Sequence, residues 1–337
     1  MGETFHIQWH ITNRCNLRCV HCYQDGFSWD GDLGQEGLMR VADRIFVFLE
    51  DRRLRGTIHL TGGEPLLKPE LFALLDYLDR SPLIEELGVI TNGLLLNQEV
   101  LARFSTCSKL KKIKLSLDGA SEKTNDSIRG MRTFDTVLER LGSIQKVNQF
   151  EIVFMFTLMK RNFRELYAFY DLSRGLGVSG FIVERFVPWG RGREKMSEVL
   201  GREEWSEVKR TLSDLFSIEK ESLLPYQAFQ VNFSEEGSEL SGAPCVIGQD
   251  GLCLMPDGEV FPCRRFPVSI GNLLQMPLRE IWEGSELLNR LRQRENLRGR
   301  CGQCGIEGCR GCRALALALR GDPLAEDPCC GIPEKAG

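Results

Sequence analysis

The sequence predicts an α/β protein built of strand–helix repeats and followed by a small cysteine-rich domain. Short apolar strands alternate with amphipathic helical patterns from residue 5 to about 187. After residue 244 the texture changes to Cys, Gly and Pro turns, and nine of the thirteen cysteines lie at or beyond 245. The strands read as FHIQWHI (5–11), TIHLTG (57–62), ELGVITN (86–92), KIKLSLD (112–118), EIVFMFTL (151–158) and GFIVERFV (180–187). Helical patterns fall between them near 35–52, 69–80, 97–105, 133–148 and 163–176. Strands joined through helices make a parallel sheet with right-handed crossovers. Six repeats suit a doubly wound sheet or a partial (β/α)6 TIM-like barrel, since a full eightfold barrel takes roughly 250 residues.

The expected division is a barrel core over 1–190, a linker and bridging helix over 191–243, and the cysteine-rich domain over 244–337. PWGRGREKMSEVLGR (188–202) reads as a loop, in which Trp189, Gly190 and Gly192 shape the exit from strand six, and a helix follows near 203–217. The last segment offers too little apolar material for a core of its own, so metal centres are expected to hold it together. Its one helical run, RALALALR (313–320), is too short to span a membrane and reads as a docking element. A net charge of −4 gives no sign of a nucleic-acid surface. Without an apolar run of membrane length or a readable signal peptide, the chain is expected in the cytoplasm, where thiols stay reduced. Clustered cysteines there are most often metal or cluster ligands. Cys107, apart from both clusters, reads as structural.

On the first strand Phe5, Ile7, Trp9 and Ile11 alternate with His6, Gln8 and His10. The polar set faces a barrel lumen, or else water on an edge strand. Glu184 and Arg185 point to opposite faces of strand six, so at most one faces the lumen. Directly after the first strand, CNLRCVHCY places Cys15, Cys19 and Cys22 with no fourth thiol near. A structural zinc site wants four ligands, and His21 is too close to Cys22 to serve the same ion. Three thiolates can hold three irons of a four-iron, four-sulfur cluster and leave the fourth open. Loops at the C-terminal ends of parallel strands are where such folds build active sites. The second strand ends in Gly62-Gly63-Glu64-Pro65, two glycines that permit close backbone approach and a carboxylate that can accept from an ammonium group.

The cysteine motif, Tyr23 beside it and GGEP together resemble the radical S-adenosylmethionine (SAM) superfamily. The resemblance extends through SLDGASEKTNDSIRG (116–130) and covers residues 5–187. It implies that the amino and carboxylate groups of SAM chelate the open iron. It further implies that Tyr23, Gly62, Gly63, Glu64, Asn92, Ser116 and Arg129 lie at the SAM site. The implied chemistry is reductive cleavage of SAM to a 5′-deoxyadenosyl radical, which removes a hydrogen atom from substrate.

The later cysteines run Cys245-x12-Gly258-x4-Cys263, then Cys301-x2-Cys304-x4-Cys309-x2-Cys312, then Cys329-Cys330, with Cys253 inside the first stretch. A zinc ribbon would separate its two knuckles by roughly 15–20 residues. The order resembles the SPASM domain of many radical SAM enzymes, which holds auxiliary iron–sulfur clusters. By that resemblance Cys245, Cys253, Cys263 and Cys312 hold one, and Cys301, Cys304, Cys309 and Cys330 the other, with Cys329 a close alternative to Cys330. With the first site this makes three [4Fe-4S] clusters. The quartet spacings are x4 and x2 where the family has x5 and x3, which leaves a two-iron cluster at one site open.

The resemblance implies a maturase that crosslinks or oxidises a peptide or protein. A low-potential donor such as flavodoxin or ferredoxin would supply its electrons. A separate peptide-recognition protein is a candidate partner; neither nucleic acid nor membrane is expected. CRGCRALALALRGDPLAEDPCC (309–330) also looks like members that modify tetrapyrroles or other cofactor precursors. A non-enzymatic iron–sulfur electron carrier is the alternative from another class, though a carrier needs only closed clusters. No residue is assigned as catalytic acid or base.

Overall fold

In the computed structural model, which describes residues 3–332, six parallel strands pair in chain order. They are β1 (Thr4–His10), β2 (Arg55–Thr61), β3 (Ile84–Thr91), β4 (Leu110–Ser116), β5 (Glu151–Leu158) and β6 (Gly180–Arg185). Helices α1 (Gln35–Asp51), α2 (Leu71–Arg80) and α3 (Gln98–Ser105) link the first four strands. Two short helices, α4 (Glu122–Arg129) and α5 (Thr133–Gln145), link β4 to β5, and α6 (Leu166–Gly175) leads to β6. This is the partial barrel.

Side-chain alternation explains which face goes where. On β1, Phe5, Ile7 and Trp9 are buried outward, and Phe5 meets Phe48 of α1 edge-on at 5.1 Å. On α1, Leu38, Val41, Ala42, Ile45, Phe48 and Leu49 recur at helical spacing and form the buried stripe. The Asn97 side chain caps α3 through the Val100 amide, and Ser121 caps α4 through Thr124.

The sheet does not end at the barrel. After α7 (Arg202–Phe216), an antiparallel hairpin of β7 (Ala228–Ser234) and β8 (Gly237–Ala243) extends it past β6. The segment expected as a linker therefore contains two strands. Phe229 and Val231 anchor them in the core, and Tyr170 Oη meets Ser238 Oγ at 2.8 Å. On the other side β9 (Gly251–Leu254) pairs in parallel with β1, and β10 (Glu259–Phe261) and β11 (Gly271–Asn272) continue outward. Strand β1 is paired on both edges, so the edge-strand reading of His6, Gln8 and His10 does not hold. His6 lies in a polar cavity at the lower end of the lumen, with His59, Lys112 and Lys114.

Helices α8 (Leu278–Gly284), α9 (Glu286–Arg292), the single turn α10 (Arg300–Gln303) and α11 (Arg313–Arg320) complete the chain. Guanidinium groups organise this end. Buried Arg313 donates to the carbonyls of Pro323 (3.0 Å) and Ala325 (2.6 Å), and Arg310 donates to Ile247 O (2.8 Å). Arg185 of β6 crosses to Asp327 at 3.0 Å, both buried, which fastens the C-terminal region to the barrel.

Candidate active site

The cysteine loop rests on the glycine pair. A Cβ on Gly62 would stand 2.3 Å from Thr12 O, and one on Gly63 would stand 2.3 Å from Arg14 O. The Gly63 amide donates to Thr12 O and the Glu64 amide to Arg14 O, each at 2.8 Å. These glycines admit the chain that carries Cys15, so the close approach they permit is first to the protein's own backbone. From the far side, Gly190 (φ +55°) packs on the Tyr23 backbone, and the Gly192 amide donates to Cys22 O at 3.0 Å. The loop after strand six thus clamps the cysteine loop.

Carboxylates tie the rim together. Asp118 is fully buried; Arg129 Nε lies 2.6 Å and His21 Nε2 2.7 Å from its Oδ2, and the Thr157 amide donates to Oδ1 at 2.8 Å. Burial would raise its carboxyl, but Arg129 and then His21 outweigh that and bring it down to about 2. Among the described residues Glu64 has no cation within ion-pair distance, and Arg129 acts on it only from farther away. It accepts from Thr91 Oγ1 (2.7 Å), the Asn92 amide (2.8 Å) and the Leu66 amide (3.1 Å), and burial still pushes it up to about 7. Asn92 Nδ2 donates to Asn16 Oδ1 within the cysteine loop at 2.7 Å. Tyr23 Oη donates to Gly62 O at 3.0 Å and lies 3.5 Å from His10 Nδ1.

One open cavity gathers these elements at the C-terminal ends of the strands. Cys15, Cys19 and Cys22 line it, as do Tyr23, Gly62 and Gly63. Asn92, Ser116 and Arg129 complete the near wall. Glu64 is the one proposed cofactor residue outside the lining: its carboxylate faces Thr91 and Asn92, so its part is to brace the rim. Of the strand-six pair, Glu184 enters the cavity, while the Arg185 side chain turns outward over the Trp205 ring (4.8 Å). The far wall adds Phe186, Val187, Arg264 and Arg265. Sequence reasoning missed the two arginines; the signal was a basic doublet directly after Cys263.

The C-terminal thiols fall into two groups. Cys301, Cys304, Cys309 and Cys330 line a second cavity of about 430 Å³ beside Trp205. Cys329 reaches its wall too, but its thiol donates to Leu200 O at 2.9 Å. Burial raises the Cys245 thiol, as do neighbouring Cys312 and Cys263; Cys253, on β9, is raised by burial and then by Cys263. Among the described residues no three His, Cys, Asp or Glu side chains converge closely enough to hold a single metal ion. The ligands of a polynuclear cluster bind different irons, so the four thiols around the second cavity have the chemistry such a group needs. Cys107 is buried, with its thiol 3.3 Å from Asp79 Oδ1, the structural role expected of it.

Family comparison agrees with this geometry. The radical SAM superfamily model matches residues 9–172, and the SPASM iron–sulfur cluster-binding domain matches 245–305. The chain belongs to the radical SAM superfamily and is an enzyme of its SPASM-bearing class, with SAM and iron–sulfur clusters as cofactors. It is 31% identical to the AdoMet-dependent heme synthase of Methanosarcina barkeri over 96% of this chain and 95% of that one. With the mycofactocin maturase MftC of Mycobacterium tuberculosis it shares 27% over 88% of this chain and 74% of that one. The fold matches that of Streptococcus suis SuiB, solved with its precursor peptide SuiA, with a TM-score of 0.73 at 17% identity. That alignment covers 98% of this chain and 77% of SuiB. Among the described residues no helix is long and apolar enough to cross a membrane.

Proposed function

We propose that Cys15, Cys19 and Cys22 hold a four-iron cluster with an open iron, and that the two C-terminal groups hold two auxiliary clusters. These are Cys245, Cys253, Cys263 and Cys312, and Cys301, Cys304, Cys309 and Cys330. Tyr23, Gly62, Gly63, Asn92, Ser116 and Arg129 would hold SAM, with Glu64 setting the rim behind them. The observation that carries this is their convergence on one cavity at the strand ends. When bound, the reduced cluster and SAM supply a 5′-deoxyadenosyl radical for hydrogen-atom abstraction. The chain's own residues orient and enclose: Asp118 fixes Arg129 at the wall, and Phe186 and Val187 narrow the space open to water. The division at about 190 and 244 is proposed in the same terms, with the β7–β8 hairpin inside the bridge. A cytoplasmic location and a flavodoxin- or ferredoxin-type donor complete the reading.

The substrate proposed is a tetrapyrrole, in a reaction of the heme-synthase kind. Support comes from the Methanosarcina barkeri relative, which this chain matches almost end to end. A peptide substrate is the second reading. The mycofactocin maturase supports it, though the match spans 74% of that protein. A separate peptide-recognition protein belongs to that reading.

Anaerobic reconstitution, iron counting and an assay for 5′-deoxyadenosine test the core. About twelve irons and deoxyadenosine under strong reductant are expected; zinc without iron, and no deoxyadenosine, would overturn it. Cys15→Ala should abolish deoxyadenosine formation and leave the auxiliary clusters in place.

A further inference from the structure

Four arginines lie along the reaction cavity, and three have a carboxylate facing them. Arg129 is matched by Asp118 and Arg185 by Asp327. Arg265 lies 3.7 Å from Glu184 and donates to Arg185 O at 3.0 Å. Arg264 has neither a carboxylate within ion-pair distance nor a partner for its buried Nε among the described residues. Its guanidinium lies over the Tyr23 ring, 3.8 Å from the centroid. A ring under one face fixes the plane of the group and leaves its edge donors for the cavity. Glu184 is felt by Arg264 from beyond ion-pair distance but pairs with Arg265, so the planar fork of Arg264 can bind an incoming carboxylate in a bidentate manner.

We propose that Arg264 is the substrate-carboxylate clamp of this enzyme, so that the molecule it accepts docks by a carboxylate beside Tyr23. The position explains why the clamp sits on the segment after Cys263 rather than on the barrel. Arg264 lines the same cavity as Ser116 and Arg129 and meets the cysteine loop at Tyr23. Glu184 in that cavity, already facing Arg265, keeps the second arginine from competing for the incoming carboxylate. This inference rests on the tetrapyrrole reading, which supplies a probe.

The test is fluorescence titration of the cluster-reconstituted full chain with protoporphyrin IX, a metal-free macrocycle with two carboxylates, and with its dimethyl ester. Wild type, Arg264→Gln and Arg264→Lys are compared, with iron content and SAM binding measured on each. Wild type should bind the diacid, and Arg264→Gln should weaken it about tenfold to a hundredfold while retaining iron and SAM binding. Arg264→Lys should recover part of the loss, and the ester should bind all three alike. Equal diacid affinity in wild type and Arg264→Gln would overturn the clamp and leave the tetrapyrrole reading intact. Loss of SAM binding together with the diacid would overturn it in favour of a cofactor contact. Failure of wild type to bind the diacid would overturn the tetrapyrrole reading and the clamp built on it.

Discussion

The barrel and the C-terminal third are stabilised by different physics. Inside the barrel, rings and aliphatic chains close on one another: Phe156 stacks on Phe169 at 4.1 Å, and Leu115, Phe154 and Phe181 are fully buried. Beyond residue 244 the interior also holds charged side chains and thiols: Arg313, Asp327, Cys253, Cys301 and Cys329 are all buried. Apolar burial is non-directional and tolerates chain rearrangement, whereas buried charge and thiol must each find a specific partner. Beyond residue 244 Leu252, Phe266, Trp282 and Leu315 are buried too, so there ligation and ionic contacts add to apolar packing rather than replace it.

The strongest way to break the contrast is to take the iron away. Chelation under reducing conditions should expose the chain beyond 244 to limited proteolysis while the barrel's helical circular dichroism persists. Simultaneous melting of both regions would show that the contrast is false. Next comes a buried ion pair that joins the two. Asp327→Asn leaves Arg185 buried without its counter-charge and should cost about 3–5 kcal/mol in urea unfolding. A loss under 1 kcal/mol would mean the apolar contacts suffice.

The barrel repeats the contrast in two buried carboxylates. Asp118, near 2 in the fold against about 3.9 free, adds about 2–3 kcal/mol above pH 4, lost as pH falls through 2. Glu64 has the opposite sign. With its carboxyl near 7 against about 4.3 free, stability is full below pH 4 and falls by about 4 kcal/mol as pH rises through 7. From pH 5 to 8 the urea midpoint of wild type should fall relative to that of Glu64→Gln; parallel curves would refute this. The smallest effect is local: Asn97→Ala removes the α3 cap and should cost about 1 kcal/mol, with no change at the thiols.

Legibility follows the same contrast. The six barrel strands were readable because their apolar runs are long and flanked by helical periodicity. Helix α4 was not, since EKTNDSIR offers little apolar signal and its start depends on the Ser121 cap. The β7–β8 hairpin hid because β8, GSELSGA, is mostly polar and gains its place by pairing with β7. At the site, the three-cysteine motif and the glycine pair were readable as local spacing. The direction of Glu64 was not, because Thr91 and Asn92, which hold it, arrive from another strand. Arg264 carries no motif; only the meeting of the Cys263 segment with Tyr23 gives it a role.

The double pairing of β1 has a consequence for synthesis. The chain's first strand finds its partner on one edge once Arg55–Thr61 has been made, yet its other edge waits for Gly251–Leu254. For nearly two hundred residues of elongation, that row of amide and carbonyl groups has no sheet neighbour, and an open edge invites pairing with a foreign strand. The register that closes it sets Gln8 beside Cys253. The edge that is hazardous on the ribosome is thus the one that ties the first strand of the barrel to the cysteine-bearing segment made last.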